Sequence, residues 1–159
     1  MSEECIEGHA KLNEALDDIL STLDKSSFRR KRIFYRLAKR AMQLNCKRIA
    51  AQQTPEGITF VPRKPKSREG KKGPMFKRLR NSRWFVIESD DEGGCVRFRG
   101  TAAHIATVHH FGLRDRIDRK SSLRIKYQSR PLLGITDDDA EILENDIRQY
   151  IEHVIKKHK

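Results

Sequence analysis

Ala102–Thr136, AAHIATVHHFGLRDRIDRKSSLRIKYQSRPLLGIT, is the stretch that decides how this chain folds. It holds two constrained elements. The first, His104-Ile105-Ala106-Thr107-Val108-His109-His110-Phe111-Gly112, is a short apolar segment closed by a glycine. The second, Arg130-Pro131-Leu132-Leu133-Gly134-Ile135-Thr136, is an arginine–proline corner that feeds a helix start. Proline fixes φ and steers Ser129-Arg130 away from helix, and Gly134 is expected to take backbone angles that leucine would resist. Thr136 and Asp139 have the spacing of a capping box, with Asp in place of Glu or Gln. The stretch therefore reads as a rigid connector between a small sheet and a terminal helix, with a basic loop separating its halves.

Working outward, Leu143, Ile147, Tyr150, Ile151 and Val154 recur at helical spacing and predict a helix over about Asp137–Lys157. Its acids lie at the N-terminal end and its lysines at the C-terminal end, which suits the helix dipole. Upstream, Arg83–Ser89 reads as a strand and Asp90-Asp91-Glu92-Gly93-Gly94 as a hairpin turn. Cys95–Arg99 is the return strand, with Val96 and Phe98 inward and Arg97 and Arg99 outward. Pro74–Arg80 is expected to form a short helical turn, and a third short strand falls at about Leu123–Tyr127.

Further upstream, a long helix is expected over about Phe28–Gln53. Phe34, Leu37, Ala38, Ala41 and Leu44 share one face, and Arg29, Arg32, Arg36, Arg40 and Lys47 fall roughly opposite. That basic stripe is either a solvated helix face or a surface for phosphates or an acidic partner. No acidic residue occurs between Arg29 and Gln53 to pair with it. Leu12, Leu16, Ile19 and Leu23 predict an amphipathic helix over about residues 7–23. Lys64, Lys66, Lys71 and Lys72 lie in a basic loop at about 62–74 that has nothing apolar to bury and is expected to be mobile. The expected architecture is α+β: a small antiparallel sheet packed with the long basic helix and the C-terminal helix, plus the N-terminal helix. Residues 1–25 form that first helix, and 26–159 a single domain.

A chain of 159 residues suits one modest core, and an apolar fraction of 36% against 35% charged leaves much surface exposed or buried only on assembly. No run approaches the ~20 apolar residues that span a bilayer, and no signal-peptide pattern opens the chain, so a cytosolic start is expected. Cys5, Cys46 and Cys95 are too scattered for a disulfide framework or a zinc knuckle. The net charge of +12 is uneven: Met1–Phe28 carries −5, Arg29–Arg80 +16, Asn81–Ile135 +4 and Thr136–Lys159 −3. Acidic ends flank a basic middle, as expected for a polyanion-facing patch or for ends that meet the middles of neighbouring subunits.

Catalytic chemistry finds no foothold. His104, His109, His110 and Cys95 are the one candidate ligand cluster, but no metal-binding spacing accompanies them, and packing around a helix end explains them more cheaply. Asp137-Asp138-Asp139 sits where helix capping accounts for it. No nucleophile motif appears, and Gly70-Lys71-Lys72-Gly73 lacks the spacing of a phosphate-binding loop. No cofactor is expected.

The sequence HHFG, then RPLLGIT and an acidic helix, resembles the phage virion morphogenesis family, the tail completion protein S family, within the wider group of head–tail joining proteins. Arg48-Ile49-Ala50, Gln53-Thr54-Pro55-Glu56-Gly57 and Phe60-Val61-Pro62-Arg63-Lys64 agree with it. Glu56 stands for the family's usual Asp, Phe60 for its Trp, and His109-His110 for its His-Gln. The likeness covers roughly Phe28–Ile151. It implies a structural protein that acts late in tail morphogenesis and completes the tail or neck so that head and tail can join. Small α+β subunits of that group form rings, so a homo-oligomer is expected, for example a hexamer. Tail and neck proteins would be its partners, with the virion as its location. The competing reading, from charge alone, is a stand-alone nucleic-acid-binding protein. It lacks an aromatic RNA-binding platform and a helix-turn-helix signature. Non-specific DNA contact is compatible with both readings.

Overall fold

The computed structural model describes residues 27–62, 73–117 and 122–157. The expected helix over residues 7–23, the side chain of Arg29, and Lys64, Lys66, Lys71 and Lys72 lie outside the described residues. In chain order the elements are α1 (Ser27–Ala51), a 3-10 turn (Ser82–Trp84), β1 (Phe85–Ser89), β2 (Gly94–Phe98), α2 (Gly100–Phe111), β3 (Arg114–Arg116), β4 (Arg124–Lys126) and α3 (Asp137–Lys157). The expected α+β class holds. No described helix is long and apolar enough to cross a membrane.

One expectation is corrected. Among the described residues the strands form two separate two-stranded sheets, β1–β2 and β3–β4, rather than one small sheet. The expected third strand exists as β4, but its partner is β3, inside the stretch expected to be a basic loop. The pairing is antiparallel, with Arg114 opposite Lys126, Asp115 opposite Ile125 and Arg116 opposite Arg124. The overlooked signal is a period of two, Leu113-x-Asp115-x-Ile117 against Leu123-x-Ile125-x-Tyr127, masked by the cations between.

The chain divides into two compact units. Of the described residues, the first comprises 27–44, 87–96 and 135–157. Its core sets Ile33, Phe34, Leu37 and Ala41 of α1 against Leu143 and Ile147 of α3, with Ile135, Ala140, Tyr150 and Ile151 packed around them. Asp90 closes the β1–β2 turn: its Oδ1 accepts from the backbone N–H of Glu92 at 2.9 Å and of Gly93 at 2.8 Å. Gly94 is required by proximity, since a Cβ there would lie 2.7 Å from the carbonyl oxygen of Phe34. α3 starts at the expected capping box. The Thr136 N–H donates to Asp139 Oδ2 at 3.0 Å, and the Asp139 N–H to Thr136 Oγ1 at 3.2 Å. Two N-terminal donors are thus satisfied reciprocally.

Of the described residues, the second unit comprises 45–62, 73–86, 97–117 and 122–134. Ile49, Phe60, Leu79, Phe85, Phe98, Ala102, Ala106, Val108 and Leu132 are buried in it. Phe85 and Phe98 stack with ring centroids 4.5 Å apart. α1 stops at Gln52, which takes a left-handed φ of +61°. The Gln52 side chain makes that position useful. Its amide accepts from the Met75 N–H and donates to the Met75 carbonyl at 2.9 Å, which anchors the turns that follow residue 73.

Candidate functional site

α2 ends at Gly112, whose φ of +64° is the left-handed cap that glycine adopts without strain. Space demands glycine there as well: a Cβ would sit 2.9 Å from the backbone nitrogen of Ser129. The last carbonyls of α2 would otherwise lack partners. The arginine–proline corner supplies them. The Arg130 N–H donates to the His109 carbonyl at 2.7 Å, and Ser129 Oγ donates to the His110 carbonyl at 2.7 Å. The Leu132 N–H then donates to Nδ1 of His110 at 3.1 Å. HHFG and RPLLG are therefore one hydrogen-bonded unit, although sequence separates them.

The corner is held from both sides. Arg130 is 6% exposed; its Nε donates to the Val61 carbonyl at 3.0 Å and one terminal nitrogen to the Gln128 carbonyl at 3.1 Å. Burial lowers the Arg130 pKa from its ordinary value, but a guanidinium remains a cation in a protein. Leu132 is buried at 1% exposure, Pro131 and Leu133 are half-buried, and Phe111 is exposed. The Gly134 N–H donates to Asn45 Oδ1 at 3.0 Å, and Arg48 donates to the Gly134 carbonyl at 3.3 Å. The expected reason for Gly134 is corrected here: its φ is not in the left-handed region. A Cβ would instead run into Pro55, 2.6 Å from that ring's Cγ.

The histidines serve packing and hydrogen bonding. His109 lies edge-on to Phe76 and Tyr127, with centroids 5.0 and 4.9 Å away. His104 Nε2 is 2.8 Å from Asp115 Oδ2. Hydrogen bonds from the Arg116 backbone and then from His104 hold the Asp115 carboxyl below its ordinary pKa. Among the described residues, no group of three or more His, Cys, Asp or Glu side chains is placed to hold a metal ion.

The basic stripe of α1 is divided. Arg32 and Lys47 are exposed, as is Lys39, which the sequence reading omitted. Arg36 stacks over the Tyr150 ring, its guanidinium carbon 4.3 Å from the centroid. Arg40 Nε lies 2.8 Å from Asp146 Oδ2, an ion pair in which the N–H is not aligned for a hydrogen bond. Part of the stripe thus finds its counter-charge and its aromatic partner on α3 of the same chain. Lys47 borders an open groove of 520 Å³ lined by Cys46, Ala50, Lys77, Arg80 and Asn81. Burial raises the Cys46 pKa, which favours the neutral thiol over the reactive thiolate. Sequence reading also missed Asn45, Arg48 and Pro55 as supports of the corner, because contacts across such long separations leave no local pattern.

The described residues make an α+β fold in which HHFG and RPLLG are locked into one hydrogen-bonded connector. The chain belongs to the phage virion morphogenesis family, whose model matches residues 11–152. It is similar to tail completion protein S of Escherichia phage P2, at 34% identity over 147 residues that cover 89% of this chain and 96% of that protein. No solved structure matches it. The family resemblance carried by HHFG and RPLLGIT is borne out.

Proposed function

We propose that this chain is a structural tail completion protein that finishes the phage tail or neck so that head and tail can join, working as a homo-oligomeric ring. The match to the P2 tail completion protein over nearly the whole of both chains carries this reading. The connector supports it. Hydrogen bonds from residues 129–132 to the end of α2 make a stiff element, and stiffness suits a subunit that must dock in one geometry. No reaction is assigned to it. Its partners are other tail and neck proteins, with the exposed part of the α1 stripe as a docking surface for them. It is placed in the virion tail, reached from the host cytoplasm during assembly.

The test is complementation of a phage whose own copy of this gene is disrupted. Without the protein, heads and tails should accumulate unjoined in electron micrographs, and supplying the chain in trans should restore joined particles. Light scattering on the purified protein, and on tails carrying it, should give a multiple of the 18.5 kDa subunit mass. Joined, infectious particles without the protein would overturn the assembly role. A monomer in both settings would overturn the ring.

A further inference from the structure

The β3–β4 ribbon has two unlike faces. Leu113, Asp115, Ile117, Leu123, Ile125 and Tyr127 lie on one; of these Asp115, Ile125 and Tyr127 are half-buried, and Leu113, Ile117 and Leu123 are exposed. Asp115 meets His104 there at 2.8 Å, and Tyr127 packs edge-on to His109. Tyr127 Oη also donates to the Arg116 carbonyl at 3.1 Å and ties the two strands together. The other face carries Arg114, Arg116, Arg124 and Lys126, all exposed. The register sets Arg116 directly opposite Arg124 and Arg114 directly opposite Lys126.

Like charges facing each other across a ladder destabilise a sheet. Both cross-strand pairs on this face do so. None of the four side chains makes a hydrogen bond or ion pair with a described residue. Arg124 is near enough to Asp115 to help lower that carboxyl's pKa, but only as a minor effect through space. Strand geometry spaces the four charges on a grid of roughly 5 by 7 Å. We propose that this face of the β3–β4 ribbon binds the phosphate backbone of double-stranded nucleic acid without sequence preference.

The chemistry of the face selects that partner over an acidic protein surface. Specific protein interfaces rest on buried aromatic or aliphatic anchors, with charged residues at the rim. This face presents four cations, with the polar Ser122 and Gln128 at the alternate positions that flank β4. Three of the four cations are arginines, whose planar fork matches phosphate oxygens two at a time. A two-stranded ribbon is also narrow enough for the duplex major groove, about 12 Å wide. Nothing here depends on the tail-completion reading, because duplex binding is read on the purified chain whether or not it completes tails.

The test is fluorescence anisotropy of a labelled mixed-sequence duplex titrated with full-length protein across a salt series. The variant combines Arg114→Gln, Arg116→Gln, Arg124→Gln and Lys126→Gln. The slope of log affinity against log salt should shrink by about 0.9 for each phosphate contact removed, up to about 3.6 for four. Relief of the facing charges should leave the melting temperature equal or higher, so lost binding cannot be assigned to unfolding. Should the fourfold variant fail to fold, Arg116→Gln with Arg124→Gln alone should give half the slope change. Changing Arg32→Gln and Lys39→Gln on α1 should leave the slope nearly unaltered. An unchanged slope in a folded ribbon variant would overturn the proposal. Labelled polyglutamate bound as tightly as duplex would also overturn it, by reassigning the face to an acidic protein.

Discussion

The backbone N–H of Leu132 donates to Nδ1 of His110 across 3.1 Å, and this bond joins the end of α2 to the arginine–proline corner. To accept there, Nδ1 must be unprotonated, which places the neutral ring's hydrogen on Nε2. Imidazole 15N shifts should report that tautomer. His110→Ala leaves a half-buried donor without its acceptor and should cost about 1–3 kcal/mol. His110→Asn puts an amide oxygen near the Nδ1 position and should recover part of that loss. Equal melting temperatures for the alanine and wild-type proteins would refute the role.

Gly134→Ala should destabilise the protein by about 1–3 kcal/mol, the usual cost of forcing an atom into packed space. The obstacle is the Pro55 ring, 2.6 Å from where the Cβ would stand. Pro55→Gly removes the obstacle, so the double variant should be less unstable than the sum of the singles. Gly112→Ala behaves differently: left-handed φ and the Ser129 backbone both oppose it, so no side-chain change elsewhere should rescue it. Additive losses for Gly134 and Pro55 in urea melts would contradict this account.

How much of this was legible before folding depended on range. α3, its Thr136–Asp139 cap and the β1–β2 hairpin were readable because their signals lie within a few residues. That HHFG ends a helix and that RPLLG turns the chain into the next one was readable too. Their mutual bonding was not, since nothing in either motif states that His110 would meet Leu132. β3 was lost because its period of two is carried by only two apolar residues, Leu113 and Ile117, around an aspartate. Lys39 falls about 20° from Arg32 on a helical wheel and was legible as part of the α1 stripe; the pairing of Arg40 was not, because a wheel does not say where α3 will lie.

The β1–β2 turn predicts a pH dependence. Hydrogen bonds from the backbone of Glu92 and then of Gly93 hold the Asp90 carboxyl below its ordinary pKa. A carboxyl depressed in the folded state contributes stability above its unfolded pKa, and that contribution fades as pH falls through the folded value. Asp90→Asn keeps an acceptor but cannot titrate. The variant should therefore lose less melting temperature than wild type as pH drops below about 4. Parallel pH profiles for the two proteins would show that Asp90 contributes nothing to acid sensitivity.

The divided stripe on α1 gives the last prediction. Arg40 and Asp146 are paired but partly open to water, at 36% and 42% side-chain exposure. A double-mutant cycle on them should return about 0.2–1 kcal/mol, less at high salt. Arg36→Gln should lose a cation–π contact with Tyr150 worth about 0.5–1 kcal/mol. For a chain of this size, each loss corresponds to at most about 2–4 °C in melting temperature. Arg32→Gln with Lys39→Gln removes no such contact and should leave the melt unchanged. If the exposed part of the stripe docks a neighbouring tail protein, that pair should weaken assembly alone, and Arg36→Gln with Arg40→Gln should weaken stability first. Complementation efficiency plotted against melting temperature separates the two classes. A common line for all four substitutions would mean that the stripe acts only through the fold.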